Sequence, residues 1–216
     1  MLDRRFRKLA LGMTILIVLF SLGLVQASTI KICDCRACGC QYLSIQEGVD
    51  HASPGDIVLV RGGIYHENVN VTKSITLRGQ IKGGSLPLVD AGGSGSGIVV
   101  SADGVTIEDI RVINAGNSTG DAGIKVISDN NTITDNEISK NDWAGIFIDS
   151  SRNNTVVTNV VKGNPYGIYL LDASDNHLSQ NELFDNAVSD AFDNGTNEWD
   201  DWTWVDYYGD FSCAGD

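Results

Sequence analysis

The chain has 216 residues, with 15 Lys and Arg against 28 Asp and Glu and a formal net charge of -13. That length holds one solid domain behind a leader. A surface so acidic repels phosphate backbones, which excludes nucleic acid as a partner.

Residues 1–27 read as an export signal. Arg4, Arg5, Arg7 and Lys8 precede an uncharged run from Leu9 to Val25, and Val25-Gln26-Ala27 supplies small residues for cleavage before Ser28. The same run suits a retained anchor, with residues 9–25 in the membrane, because a span needs about 20 apolar residues. Either way the folded part is expected outside the cytoplasm, secreted or at the cell surface. Without residues 1–27 the charge is -16, from 11 Lys and Arg against 27 Asp and Glu. Sequons beginning at Asn70, Asn117, Asn130, Asn153 and Asn194 fit a glycosylated exterior protein.

Residues 28–43 form a Cys-rich segment in which Cys33, Cys35, Cys38 and Cys40 fall within eight positions. In an oxidising compartment they form two disulfides, with three possible connectivities. As thiolates they would instead wrap one soft metal, Zn or Cu(I), although C-x-C-x2-C-x-C is not a zinc-finger spacing.

Ser44 to Ala52 predicts a short helix. Ser44 with Glu47 three residues later forms a capping box, and Ile45, Val49 and Ala52 share one face suited to lidding a stack of strands. Ile57 to Val60 and Ser74 to Leu77 are strand-like, joined by Gly62 to Val71. Gly83 to Gly97 reads as turns and loop.

A repeat then dominates. Gly123-Ile, Gly145-Ile and Gly167-Ile begin segments 22 residues apart, and each is followed by three asparagines at five-residue intervals. The trios are Asn131, Asn136, Asn141; Asn154, Asn159, Asn164; and Asn176, Asn181, Asn186. An apolar residue stands two positions after the first two members of each trio: Ile133 and Ile138, Val156 and Val161, Leu178 and Leu183. Five residues advance about 500° around a helix, so no helical face collects this set. Short strands broken by bends do collect it. Asn tolerates left-handed backbone and suits a bend, and equivalent asparagines about 4.8 Å apart can bond in a ladder. One coil cannot bury its own apolar strip, so coils must stack, in parallel and right-handed. The pattern predicts an all-β, right-handed parallel β-helix of roughly six coils over residues 44–190. Asn117 to Asp121 lengthens one coil as an outward loop. Residues 191–216, acidic and aromatic, are expected to be a tail or cap.

The run Ser44 to Val60, with Gly63-Ile-Tyr-His-Glu-Asn-Val and Ile75-Thr-Leu-Arg-Gly, resembles the opening coils of pectin-lyase-like β-helix proteins. The Gly-Ile and Asn-trio repeats resemble the NosD-like branch, with its carbohydrate-binding and sugar-hydrolase repeat proteins of cell surfaces. That resemblance implies the fold. For activity it leaves open lyases, esterases, hydrolases and members without chemistry.

No catalytic set of those enzymes is recognisable along the coils. Asp149 and Arg152 are the best candidates for acid/base work on an acidic sugar, weighed against their being solvated turn residues. Trp143, Tyr166 and Tyr169 are candidate sugar-stacking residues, weighed against packing roles. His51, His66 and His177 are too dispersed to converge on one copper ion. The expectation is a monomeric, non-catalytic surface module that binds polysaccharide or surface glycan. It needs no cofactor, since calcium, zinc and copper find no clear site. The alternatives are a polysaccharide lyase or hydrolase, and a copper-associated periplasmic protein.

Overall fold

The structure is a computed structural model that describes residues 26–200, together with the backbone of Trp204–Val205 and Phe211–Cys213. Most of the expected leader, Trp202, Tyr207 and Tyr208 lie outside the described residues. Among the described residues no helix is long and apolar enough to cross a membrane.

Three parallel sheets run the length of the molecule. Face A stacks Thr29–Ile32, Ile57–Arg61, Thr76–Gln80, Thr106–Glu108, Thr132–Thr134, Thr155–Val157, Ser174–Ser179 and Thr196–Trp199. Face B stacks Ile64–His66, Leu88–Asp90, Arg111–Ile113, Glu137–Ser139, Val160–Lys162, Glu182–Phe184 and Trp204–Val205. Face C stacks Val69–Val71, Ile98–Val100, Ala122–Val126, Ala144–Asp149, Tyr166–Leu171, Ser189–Asp193 and Phe211–Cys213. The chain visits A, B and C in turn, which makes six complete coils between Ile57 and Asp193. Strands of the stack extend past both 44 and 190. The Gly83 to Gly97 stretch, expected as loop, holds the strand Leu88–Asp90, because Val89 stacks between Tyr65 and Val112 in the interior.

Period-2 alternation sends one side chain of each short strand inward. Val58, Leu77, Ile107, Ile133, Val156 and Leu178 stack in register on face A. Val89, Val112, Ile138, Val161 and Leu183 do so on face B, and Ile98, Ile124, Ile146 and Ile168 on face C. All are essentially inaccessible to solvent. Each buried aliphatic side chain contributes about 1.5–3 kcal/mol. The Gly-Ile repeat has a steric cause as well: a Cβ on Gly145 would collide with Val161 and lie 2.8 Å from the Gly167 carbonyl oxygen.

The nine trio asparagines line the interior corners. Asn136 donates from its backbone N and its Nδ2 to Asn159 Oδ1, both at 3.0 Å. Asn159 repeats both bonds to Asn181 Oδ1 at 3.0 Å. The same double bond links Asn131 to Asn154 to Asn176, and Asn141 to Asn164 to Asn186. None of the nine has the left-handed backbone that the sequence suggested. The positive φ belongs to the residue before each one: Asn130, Asp135, Lys140, Asn153, Thr158, Gly163, Asp175, Gln180 and Asp185. The preceding residue makes the bend, which leaves the asparagine side chain pointing inward to bond the next coil.

Ile45–His51 is the expected helix, with Ile45, Val49 and Ala52 buried against the first coil. Ser44 Oγ accepts the Glu47 N–H at 3.3 Å. The carboxylate at this cap is Glu67, which accepts from Ser44 Oγ, Ile45 N and Gln46 N at 2.8–3.0 Å. A carboxylate brought from the first coil thus takes the place expected for Glu47 and ties the lid to the stack.

Candidate functional site

The outward side chains of face C form an aromatic strip. Lys125, Phe147, Tyr169 and Phe192 occupy one register row of four successive coils. Trp143 and Tyr166 enter the same patch from the corner where coils turn onto face C. Strands about 4.8 Å apart bring these rings into contact. Tyr169 stacks on Phe192 with centroids 4.3 Å apart, and Trp143 lies 5.0 Å from Tyr169 and 5.1 Å from Phe147. Tyr166 meets Tyr169 edge-on at 5.1 Å.

Phe147 is the buried floor, while Trp143, Tyr166 and Tyr169 are half-buried and open to solvent on one side. Ala122 and Ala144 are small, so the rings stand above their neighbours. The Lys125 ammonium sits 5.1 Å from the Phe147 centroid, a cation over a ring face. Burial, then the neighbouring Tyr166, pushes the Tyr169 hydroxyl above the usual phenol range, so it stays a neutral donor. The loop after Ile113 closes on itself, with Asp121 N donating to Ser118 O at 2.9 Å, and its Gly120 abuts Phe147. Phe147, Phe192 and Lys125 were not singled out in the sequence, yet the 22-residue interval from Phe147 to Tyr169 was a usable signal.

Asp149 and Arg152 are not brought together. Arg152 pairs through Nε with Asp129 Oδ2 at 3.8 Å and is largely exposed, and Asp149 accepts from Ser150 Oγ. Closeness in sequence does not carry across the bend at Ser150, whose φ is positive.

Face B carries a cluster of charge. Glu137 lies 3.2 Å from Arg111 Nε and 3.4 Å from Lys162 Nζ. A shallow groove of about 490 Å³ there is lined by Asp135, Glu137, Lys162, Glu182 and Phe184 among others.

Cys33 pairs with Cys40 and Cys35 with Cys38, which selects one of the three connectivities. His51 stacks on Tyr42, His66 contacts Asp90 at 3.3 Å and His177 contacts Glu198 at 3.4 Å. Among the described residues no three His, Cys, Asp or Glu side chains are grouped to hold a metal ion.

Residues 88–208 match the family model described as "Periplasmic copper-binding protein (NosD)". No curated protein matches the sequence. Among solved structures, the chain is similar to an alginate lyase from Paenibacillus sp. str. FPU-7, at 16% identity and TM-score 0.60, over 79% of this chain and 63% of that one. It is also similar to Escherichia coli YbhC, at 12% identity and TM-score 0.52, over 79% of this chain and 64% of that one. The chain therefore spans less than two thirds of either structure, and the likeness is one of fold.

Proposed function

The chain belongs to the NosD family, and from that premise we propose that it is an extracytoplasmic, non-catalytic module that binds polysaccharide along the aromatic strip of face C. The carrying observation is the continuous row of half-buried rings at Trp143, Tyr166, Tyr169 and Phe192. Aromatic faces supply flat apolar area to the C–H faces of sugar rings at little entropic cost. The strip runs along the stack, so successive sugars of one chain can engage successive coils. A neutral Tyr169 hydroxyl and the Lys125 ammonium supply polar contacts beside the rings, Lys125 to a carboxylate if the sugar is acidic. Two disulfides near the N-terminal end and a family described as periplasmic support a location outside the cytoplasm.

Among the described residues the donors do not fit copper: the four clustered cysteines are paired with one another, and the three histidines lie apart with separate partners.

A second reading rests on face B. Asp135, Glu137 and Glu182 with Lys162 place acids and a base in one groove, which is the raw material of a lyase or hydrolase. One experiment separates the two. Purified protein is titrated with alginate, pectin and a neutral glucan while binding is followed by calorimetry and bond cleavage by release of unsaturated or reducing ends. Binding without cleavage, lost in Trp143→Ala and kept in Glu137→Gln, supports the module. Cleavage abolished by Glu137→Gln replaces it with the enzyme.

A further inference from the structure

Independently of the aromatic strip, the N-terminal end carries a second chemical feature. Cys35-Arg36-Ala37-Cys38 is a C-x-x-C disulfide at the mouth of the first coil, with both cysteines partly accessible. Its companion is accessible at one end only, since Cys33 is fully buried while Cys40 is partly accessible. Lys82 Nζ stands 3.5 Å from Cys38 Sγ and 3.9 Å from Cys35 Sγ. Arg61 Nη1 donates to the Cys38 carbonyl at 3.2 Å and reaches Cys33 Sγ at 4.0 Å. The opposing anion is Asp34, 3.7 Å from Lys82. Arg36 lies between the two cysteines in sequence.

Lys82 is held there by the fold. It belongs to a tight turn in which Lys82 N donates to Ser85 O at 3.0 Å and Ser85 N to Lys82 O at 3.2 Å, through Gly83 and Gly84 at positive φ. That turn seats on Gly62, where a Cβ would collide with Ser85 O and lie 2.8 Å from Lys82 N. Thus two glycine-dependent features place an ammonium over a half-open disulfide 44 residues away in sequence.

We propose that Cys35–Cys38 is a thiol–disulfide exchange site, with Lys82 as the positioning residue that stabilises the leaving Cys38 thiolate. An external thiolate, from a small thiol or a partner cysteine, attacks Cys35 Sγ. The Cys35–Cys38 bond breaks, a mixed disulfide forms on Cys35, and the electron pair leaves on Cys38 beside the ammonium. A second external thiolate then attacks the sulfur that the first one contributed. It releases the external disulfide, and Cys35 leaves as a thiolate that takes up a proton. The protein gains two electrons and two thiols, and two external thiols become one disulfide. A cation beside a thiolate lowers its pKa, and a leaving group of lower pKa departs faster.

The test equilibrates native full-length protein with graded mixtures of reduced and oxidised glutathione, traps thiols by alkylation and locates them by peptide mass spectrometry. The expected result is that Cys35 and Cys38 are alkylated while Cys33 and Cys40 stay paired. Lys82→Gln should slow the exchange at pH 7 by about three- to ten-fold and raise the Cys38 thiol pKa, with Lys82→Arg restoring both. Near-UV circular dichroism checks that the variants keep the fold. Should Lys82→Gln misfold, acetylation of lysines on the folded wild type reads the same effect. Reduction of both disulfides together, or an exchange rate indifferent to loss of the Lys82 charge, overturns the proposal.

Discussion

The coils from Asn131 onward and the coils before Ala115 turn the same corners by different means. At the first corner the register row reads Asp56, Ile75, Val105 and then Asn131, Asn154, Asn176 and Asn197. In the later coils the N–H groups of Asn131, Asn136, Asn141, Asn154, Asn159, Asn164 and Asn176 are each met by an amide from the next coil. In the earlier coils the corners carry Asp56 and then apolar residues, Ile75, Val105, Ile110 and Ala115. The boundary is closed on one side: Val105, Ile110 and Ala115 donate their backbone N–H to Asn131, Asn136 and Asn141 Oδ1 at 2.8–3.0 Å. The cause is coil length. Face A partners are 19 residues apart at Ile57 and Thr76, 30 at Thr76 and Thr106, and 26 at Thr106 and Thr132. They settle at 23 and 22 for Thr132, Thr155 and His177. An amide reaches its equivalent only where successive corners have the same geometry, so the ladder begins where the length becomes uniform. Non-glycine residues take the left-handed bend throughout the uniform coils, as Asp109 and Asn114 already do in the coil before them, which costs about 1–2 kcal/mol each. The ladder offsets that cost.

The largest test of this difference is Asn159→Leu. It orphans the Asn136 backbone N–H and one hydrogen of its amide, and removes the Nδ2 bonds to Asn181 Oδ1 and to the Ile133 and Val157 carbonyls, while the backbone N–H at 159 still donates to Asn181. Each unsatisfied buried group costs about 1–3 kcal/mol, and partial relaxation leaves an expected loss of about 3–5 kcal/mol in urea unfolding. Ile110→Leu, in the region before the ladder, should cost under about 1.5 kcal/mol. Equal losses for the two would refute the distinction between the regions.

A second contrast sets the inside of the ladder coils against their outside. Trp143→Ala and Tyr169→Ala remove rings from the outer strip of the same coils, and we expect polysaccharide affinity to fall about ten-fold or more, near 1.4 kcal/mol. The melting temperature should move by only a few degrees, because Ala144, Ile146 and Ile148 beneath the strip are untouched. Unchanged affinity with a collapsed melting temperature would make the rings packing residues instead.

The end of the ladder should matter less than its middle. Asn197 accepts from Asn176 N at 3.1 Å and Nδ2 at 2.8 Å, but it is only partly buried. Asn197→Ala strips the bonds of the buried Asn176, but loss of a partly exposed side chain opens that end of the ladder to water, so about 1 kcal/mol is expected by thermal unfolding. A loss as large as that of Asn159→Leu would mean that the ladder fails as one cooperative unit.

The same contrast explains what could be read from the residues. Periodic spacing exposed the stacked Ile and Val rows and the asparagine trios because identical coils repeat identical solutions. Asn197 escaped because it follows Gly195-Thr196 in a coil that breaks the five-residue rhythm. Glu67 at the helix cap, Asp129 with Arg152 and Lys82 over the disulfide are all pairings between coils. Sequence proximity favoured Glu47 and Asp149 for the first two of these, but a solenoid places a residue beside those one coil away. Where coil length varies, that neighbour is not countable. The aromatic strip was half visible, through Trp143, Tyr166 and Tyr169, and became continuous only when the register added Phe147 and Phe192.

The smallest effect expected is electrostatic, and its sign differs between two carboxylates of the earlier coils. Asp56 accepts the Ser53 and Ser28 N–H groups at 2.8 Å on its two oxygens, and these bonds hold its carboxyl below the usual range. A lowered folded pKa contributes stability above the unfolded value of about 3.9, lost as pH falls through the folded value. Asp56→Asn, which keeps one acceptor of the two, should therefore lower stability at pH 7 and less so at the acid end. Asp109 is the reverse case. Burial, then the nearby Asp135 and Glu108, raises its carboxyl above the usual range. Its ionised form costs stability at neutral pH, a cost relieved as pH falls through the folded value toward about 3.9. Asn occupies left-handed backbone readily, so the φ of +58° at this position does not mask the charge effect. Asp109→Asn should raise stability at pH 7 by at most about 0.5 kcal/mol, with the gain gone below about pH 4. Urea titrations of both variants across pH 3–8 read the two signs directly, and a gain for Asp109→Asn that persists at pH 3 would show that it comes from the backbone rather than from charge.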